Sequence, residues 1–360
     1  MSEIKANKFI LVPRLDNPGG VANYYSVLKP FLDKNCTYVY RGKSSEKNKI
    51  WRFITDYIHF YKSAYKDGNS GVILISSSLG YGGFVRDGIF SLLSTKKHKR
   101  IIFFRGWNPS FEKKINNSRI LRFWLQKTFL KADHIIVLSS EFKKKLSDWG
   151  YTGQISTETT VVDEKLLNDF KFRERKSEVK NLLFLSRIEK AKGIFEAVDA
   201  VSLLLKQGRD IQLTIAGNGA AMDNLKEHIY NFDTDGITLK GYVEGEDKMN
   251  CLISADLFLF PSYHEGMPNS VLEAIAFGLP VLTTRVGGIP DFFEDGKMGL
   301  FLDNREPEHI AEKIEYLLGR PELMKEMSEY NYNYAKEHFY ASKVAARLEK
   351  IIDDVVEERV

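Results

Sequence analysis

Short, unbroken apolar runs alternating with longer stretches of helical period constrain this chain more than any other feature. Phe9–Val12, Val72–Ser76, Ile101–Phe104 and His134–Leu138 are such runs in the first half. Continuous apolarity is what a strand needs when both of its faces are covered. Amphipathic segments lie between them, among them Trp51–Tyr65 and Ser118–Lys131. Strands alternating with helices predict a parallel sheet flanked by helices on both sides. The highly charged segment Phe170–Lys180 reads as a linker. The pattern then restarts, with strands expected at Asn181–Ser186, Asp210–Ala216, Thr238–Lys240, Asp256–Pro261 and Pro280–Thr284. Helices are expected between them at Ile194–Lys206, Ala221–Tyr230 and Ser270–Phe277. The expectation is an α/β chain of two domains, 1–169 and 170–340, with a helix over 341–360. The apolar positions of that helix (Val344, Leu348, Ile351, Ile352, Val355) leave open which domain it packs on.

The length of 360 residues suits two domains, and 43% apolar with 28% charged residues excludes disordered and fibrous classes. No run of 18 apolar residues exists, so no membrane-spanning helix is expected. The opening MSEIKANKF has no apolar stretch before a small-residue cleavage site, so no secretory signal is expected. Cys36 and Cys251 lie far apart and fit neither a disulfide framework nor a metal site. A cytoplasmic protein is the expectation. Charge is divided unevenly: 28 Lys and Arg against 14 Asp and Glu through residue 165, then 24 against 34. A basic first half favours an anionic partner, such as a phosphate-bearing substrate or a lipid headgroup surface. No nucleic-acid-binding module is recognisable in it.

The stretch Phe258–Phe293 carries the most chemistry. A buried strand ends at Pro261, a polar loop follows, and a helix begins near Ser270, which has capping-box spacing to Glu273. The loop 262–269 thus lies at the carboxyl end of a strand and the amino end of a helix, where open α/β sheets bind ligands and helix N–H groups favour an anion. Glu265 and Glu273 frame it, and ionised carboxylates accept hydrogen bonds from hydroxyls. Phosphate together with many hydroxyls describes a sugar nucleotide.

The seven-residue spacing of Glu265 and Glu273 within HEGMPNSVLEAIAFGLPVL resembles the signature of glycosyltransferase family 4, retaining enzymes of the GT-B fold. Four further stretches resemble the family in order: Leu183–Gly193, Leu213–Ala220, Ile237–Val243 and Arg285–Phe292. Together they cover about 110 residues. Pro13–Tyr25 resembles its glycine-rich loop after the first strand, and Ala132–Leu146 the strand and helix that close its first domain. Two departures stand out. Arg105-Gly106-Trp107 replaces a His-Gly that contacts the donor sugar, and Thr160-Val161-Val162-Asp163 replaces an Asn-Gly-Val-Asp at the domain crossover.

The resemblance implies two Rossmann-like α/β/α domains whose parallel sheets face an interdomain cleft. The N-terminal domain would take the acceptor and the C-terminal domain the donor. It implies a retaining, metal-independent hexosyltransferase using a nucleotide-sugar, UDP-linked in preference to GDP-linked, as co-substrate with no cofactor. Arg187 and Lys192 would neutralise the departing diphosphate, since a guanidinium fork and an ammonium both suit phosphate oxygens. Glu265 would meet the sugar hydroxyls with the backbone of Gly266, Met267, Pro268, Asn269 and Ser270, and Glu273 the ribose. Gly19, Gly20, Gly217 and Gly219 would line the donor, and Gly241 and Tyr242 the base. Arg105 and Trp107 are candidates for acceptor or sugar contact. Glu265 as a covalent nucleophile is the alternative route. The acceptor would be a saccharide or a lipid-diphosphate-linked saccharide of a surface polysaccharide, lipopolysaccharide or glycolipid. Two basic stretches, Lys96–Arg100 and the helix bearing Arg119, Arg122, Lys127 and Lys131, point to peripheral attachment on the inner face of an anionic membrane. A sugar-nucleotide epimerase of the same fold, or a binding subunit without catalysis, are the other readings.

Overall fold

The apolar runs become the centres of two parallel sheets. A computed structural model describes residues 7–16, 19–42, 49–65, 70–94, 98–168, 170–172, 180–232 and 235–357. Two compact units emerge: 1–159 with 344–360, and 160–343. The change of unit comes about ten residues before the charged segment that reads as a linker, of which residues 173–179 lie outside the described set.

In the first unit the strands are β1 (Asn7–Pro13), β2 (Cys36–Arg41), β3 (Gly71–Leu79), β4 (His98–Trp107), β5 (His134–Val137) and β6 (Gln154–Thr157). Their order is β2-β1-β3-β4-β5-β6, all neighbours parallel. Ile73, Ile75, Ile102, Phe104 and Ile135 project into a buried cluster with Phe84, Phe90 and Phe129 of the covering segments. The stretch 118–131 is not one helix. Ser118 caps Arg119–Lys127 by accepting from the Leu121 N–H, and a separate 3-10 turn covers Phe129–Lys131.

In the second unit the strands are β7 (Asn181–Leu185), β8 (Gln212–Ala216), β9 (Ile237–Gly241), β10 (Leu257–Phe260), β11 (Val281–Thr284) and β12 (Gly299–Leu302). The order β12-β11-β10-β7-β8-β9 is again wholly parallel. Each sheet therefore has one point where the winding direction reverses, between β1 and β3 and between β7 and β10. Loops leaving the carboxyl ends of the strands beside such a point diverge and open a crevice.

The sequence does not announce β2, β6 or β12, and each is the edge strand of its sheet. An edge strand needs less apolar cover, and QIST of β6 carries no fully buried residue.

The last helix, Ala341–Glu357, contributes residues from 344 onward to the first unit. Arg347 makes a fork on Glu158, with Nε 3.0 Å from Oε1 and one Nη 3.0 Å from Oε2. Lys8 reaches Asp353 at 2.6 Å, and Glu349 accepts the Asp33 N–H. Because Glu158 is buried, Arg347→Ala leaves a carboxylate without its partner; we expect a loss of about 2 kcal/mol in urea unfolding. Arg347→Lys should recover only part of it, since an ammonium cannot supply the fork.

Candidate functional site

The reversal point of the second sheet is flanked by the loop after β7 and the loop after β10. Backbone bonds hold the two together: the Tyr263 N–H donates to the Ala191 carbonyl at 2.9 Å. Gly193 makes that approach possible. Its φ is +72°, and a Cβ there would sit 2.1 Å from the Pro261 carbonyl oxygen.

At this junction Lys192 Nζ donates to Glu265 Oε1 at 2.7 Å, with side chains only 10% and 8% exposed. Ser262 Oγ donates to the same oxygen at 2.8 Å. The next residues are clamped from β11's side. The Gly288 N–H donates to the Gly266 carbonyl at 2.7 Å. Gly287, at φ +58°, lies so close that a Cβ would be 2.5 Å from the carbonyl oxygens of Glu265 and Gly266. Met267 and Pro268 are buried beneath the loop.

Pro268 then starts the helix Asn269–Ala276, and no side chain caps it. The capping box expected from Ser270 and Glu273 is therefore absent. The helix starts at Asn269, so Ser270 already lies inside the first turn. The Glu273 carboxylate is taken instead by Lys248 Nζ at 2.8 Å. The first helical bond is Leu272 N–H to Pro268, so the N–H groups of Asn269, Ser270 and Val271 have no acceptor within the helix. This is a preformed anion seat one strand away from a buried ammonium.

The remaining expected residues fall at the same end of the sheet. Arg187 follows β7, its side chain 71% exposed and paired with Glu189 at 2.7 Å. Gly241 ends β9 and Tyr242 follows it; Tyr242 is exposed and donates to Glu244 Oε2 at 3.1 Å, which raises its phenol pKa. Gly217 and Gly219 have a packing reason for lacking a side chain. A Cβ at Gly217 would lie 1.8 Å from the Ser186 carbonyl oxygen, and one at Gly219 2.4 Å from that of Ile188.

Sequence reasoning missed three contributors. Lys248 comes from another helix, Gly245–Ser254, with no local signal. Arg305 grips the Ser262 carbonyl with two nitrogens, at 3.2 and 2.9 Å, and lies 4.4 Å from the Tyr263 ring. Ser262 itself is buried, and Thr284 Oγ1 also donates to its carbonyl at 2.5 Å.

In the first unit, Gly19 precedes the uncapped helix Gly20–Leu28. Arg105 follows the core of β4 and lies 3.6 Å over the Tyr24 ring; its Nε and Nη1 are buried without a hydrogen-bond partner. Burial lowers its pKa from the ordinary guanidinium value. Trp107 is engaged internally. Its ring stacks on Phe142 at 4.4 Å and on Trp149 at 5.5 Å, and its N–H donates to Glu112 at 2.6 Å. The basic run Lys96–Arg100 has residues 96 and 97 outside the described set. Lys99 pairs with Asp133 at 3.3 Å, and Arg100 is spent on the Ser91 and Lys131 carbonyls. Among the described residues no group of three His, Cys, Asp or Glu side chains could hold a metal ion.

Residues 167–334 match the family described as glycosyl transferases group 1. The chain is 26% identical over 207 residues to the capsular polysaccharide biosynthesis glycosyltransferase CapM of Staphylococcus aureus, covering 58% of this chain and 54% of CapM. It is 30% identical over 149 residues to the alpha-D-kanosaminyltransferase of Streptomyces kanamyceticus, covering 41% and 39%. The chain thus spans about half, or less, of the length of these relatives. Among solved structures, HepE of Anabaena in complex with UDP superposes with a TM-score of 0.72 at 14% identity, covering 96% of this chain and all of HepE. That likeness is one of fold, and the fold is GT-B. Over residues 167–334, then, the chain is similar to the glycosyl transferases group 1.

Proposed function

We propose that the chain transfers a hexosyl group from a UDP-sugar to a saccharide acceptor in the synthesis of a surface polysaccharide. The observation that carries this reading is the buried Lys192–Glu265 pair beside the uncapped start of the helix Asn269–Ala276. The biosynthetic roles in the names of relatives and the UDP in the HepE complex support the substrate class.

Breaking the sugar–phosphate bond leaves negative charge on the terminal phosphate, and a preoriented cation lowers that barrier. Lys192 is held for this by Glu265, whose same oxygen also accepts from Ser262. Arg187, exposed at the end of β7, is the mobile fork that closes on the diphosphate. Glu265 keeps its second oxygen for sugar hydroxyls, and Glu273 accepts from the ribose while Lys248 orients it. Gly241 and Tyr242 flank the base. The acceptor hydroxyl attacks from the face that the phosphate leaves, and the departing phosphate takes its proton. The anomeric configuration is retained, with charge balanced by the chain's own cations.

The acceptor is carried at a membrane surface. On the helix Lys49–Tyr65, Trp51, Ile54, Ile58 and Tyr61 form an exposed stripe at helical spacing. Tyr81 and Val85 are likewise exposed on the neighbouring helix Tyr81–Leu93, and Ile120 and Phe123 on Arg119–Lys127 beside it. Arg119, Arg122 and Lys127 flank the last pair. Apolar side chains rimmed by cations suit an anionic headgroup layer.

Two measurements check these statements. UDP at about 100 times its dissociation constant should add roughly 2.7 kcal/mol to the stability of the chain in a thermal-shift series. Arg187→Ala and Glu273→Ala should lose most of that gain, whereas an equal gain in all three proteins would refute the donor assignment. In flotation assays the chain should rise with phosphatidylglycerol vesicles at low salt and not with phosphatidylcholine alone. The double variant Ile120→Glu, Phe123→Glu should stay behind; flotation indifferent to these changes would remove the membrane from the account.

A further inference from the structure

The first unit holds a cavity of about 430 Å³ at the carboxyl ends of β1 and β2. Three guanidinium groups line it: Arg41 from the end of β2, Arg52 from Lys49–Tyr65 and Arg86 from Tyr81–Leu93. Arg41 is 6% exposed. One Nη donates to Asp87 and the other to the Ser76 carbonyl at 2.8 Å, while its Nε is buried with no hydrogen-bond partner. Asp87 is shared, since Arg86 Nε also donates to it at 2.7 Å. The carboxylate that lines the cavity, Asp56, accepts the Gly42 N–H at 2.8 Å. Among the described residues no carboxylate pairs with Arg52. Three guanidinium groups thus share the cavity wall with one carboxylate, Asp56, itself engaged, while the fully buried Asp87 pairs with Arg41 and Arg86.

The rest of the wall is backbone. The helix Gly20–Leu28 starts at the cavity without a side-chain cap, and its first helical bond is Asn23 N–H to Gly19. The N–H groups of Gly20, Val21 and Ala22 are left for a ligand. At Gly19, Gly20 and Gly42 a Cβ would meet nothing within 4 Å. No packing contact requires these glycines, although Gly19 and Gly42 also hold positive φ angles of +151° and +75° that favour glycine.

We propose that this cavity binds a phosphate group of the acceptor, with Arg41 and Arg52 as its ligands, Arg86 as a third cation and the Gly20 helix start as its backbone seat. The site for an anion stands on the cavity itself; its assignment to the acceptor rests on the transferase reading above. It places Gly19 and Gly20 on the acceptor and not on the donor.

Isothermal titration of the full chain in saturating UDP tests this with three probes: inorganic pyrophosphate, geranyl diphosphate and glucose 1-phosphate. We expect saturable binding of at least one, weakened tenfold or more by Arg52→Glu, with UDP affinity unchanged within twofold. Arg41 and Arg86 are knitted to Asp87, so the second variant is Gly20→Asp, which adds a carboxylate in open space and should lose the probes equally. A preference for geranyl diphosphate over pyrophosphate identifies a lipid-borne phosphate, and a preference for glucose 1-phosphate a free sugar phosphate; either supports the site. No saturable binding by any probe, or variants that bind like the wild type, would overturn it. So would variants that lose UDP together with the probes, because the cavity would then belong to the donor. Absence of UDP binding to the wild type would instead count against the transferase reading, with the probes alone still reporting on the cavity.

Discussion

An ammonium and a carboxylate set 2.7 Å apart, each nine-tenths withdrawn from water, hold the second unit's site together. Taking two such charges out of water costs several kcal/mol per ion, and their mutual attraction offsets this only when geometry and further hydrogen bonds are good. Both conditions are met: Ser262 donates to the same carboxylate oxygen, and the Lys192 stem is seated in a turn bonded to the loop after β10. The pair adds little net stability, but it fixes where a positive charge sits before any ligand arrives. A cation prepared in this way needs no reorganisation when charge develops on a leaving phosphate.

The glycines follow from that requirement. Lys192 can reach Glu265 only if two loops meet backbone to backbone, which Gly193 permits against Pro261. The Glu265 loop stays in place only if the segment after β11 presses on it, which Gly287 permits. Gly217 and Gly219 do the same for the turn that carries Arg187 and Ile188. At all four positions a side chain would strike main-chain atoms, which cannot swing aside. Gly19, Gly20 and Gly42 of the first unit are the opposite case, since open space surrounds them. One residue type thus serves tight assembly at some positions and open space at others.

Much of this was legible in the sequence, for physical reasons that particular residues make clear. Central strands such as VILIS of β3 and LFLF of β10 are covered on both faces and read as unbroken apolar runs. The edge strands β2 and β6 are less covered and gave no such run, whereas GLFL of β12 is mostly buried and its apolar run was overlooked. The loop between β10 and the next helix was readable because strand, turn and helix signals all fall within it. Lys248 and Arg305 were not readable, because each is a single cation brought in from a distant element. Ser270 and Glu273 show how a local rule can mislead. Their spacing fits a capping box, yet Pro268 starts the helix earlier and Lys248 offers Glu273 a stronger partner. Trp107, a candidate for acceptor or sugar contact, stacks on Phe142 and Trp149, neither of which its own sequence neighbourhood announces.

The central claim is that the anion seat of the helix Asn269–Ala276 and the Lys192 ammonium receive the diphosphate of a sugar nucleotide. The most direct test is a crystal structure of the full chain with UDP. The account predicts the terminal phosphate within hydrogen-bond distance of Lys192 Nζ and of N–H groups of residues 269–271, with the ribose hydroxyls on Glu273. UDP bound elsewhere, with the Lys192–Glu265 pair untouched and the helix start vacant, would contradict it.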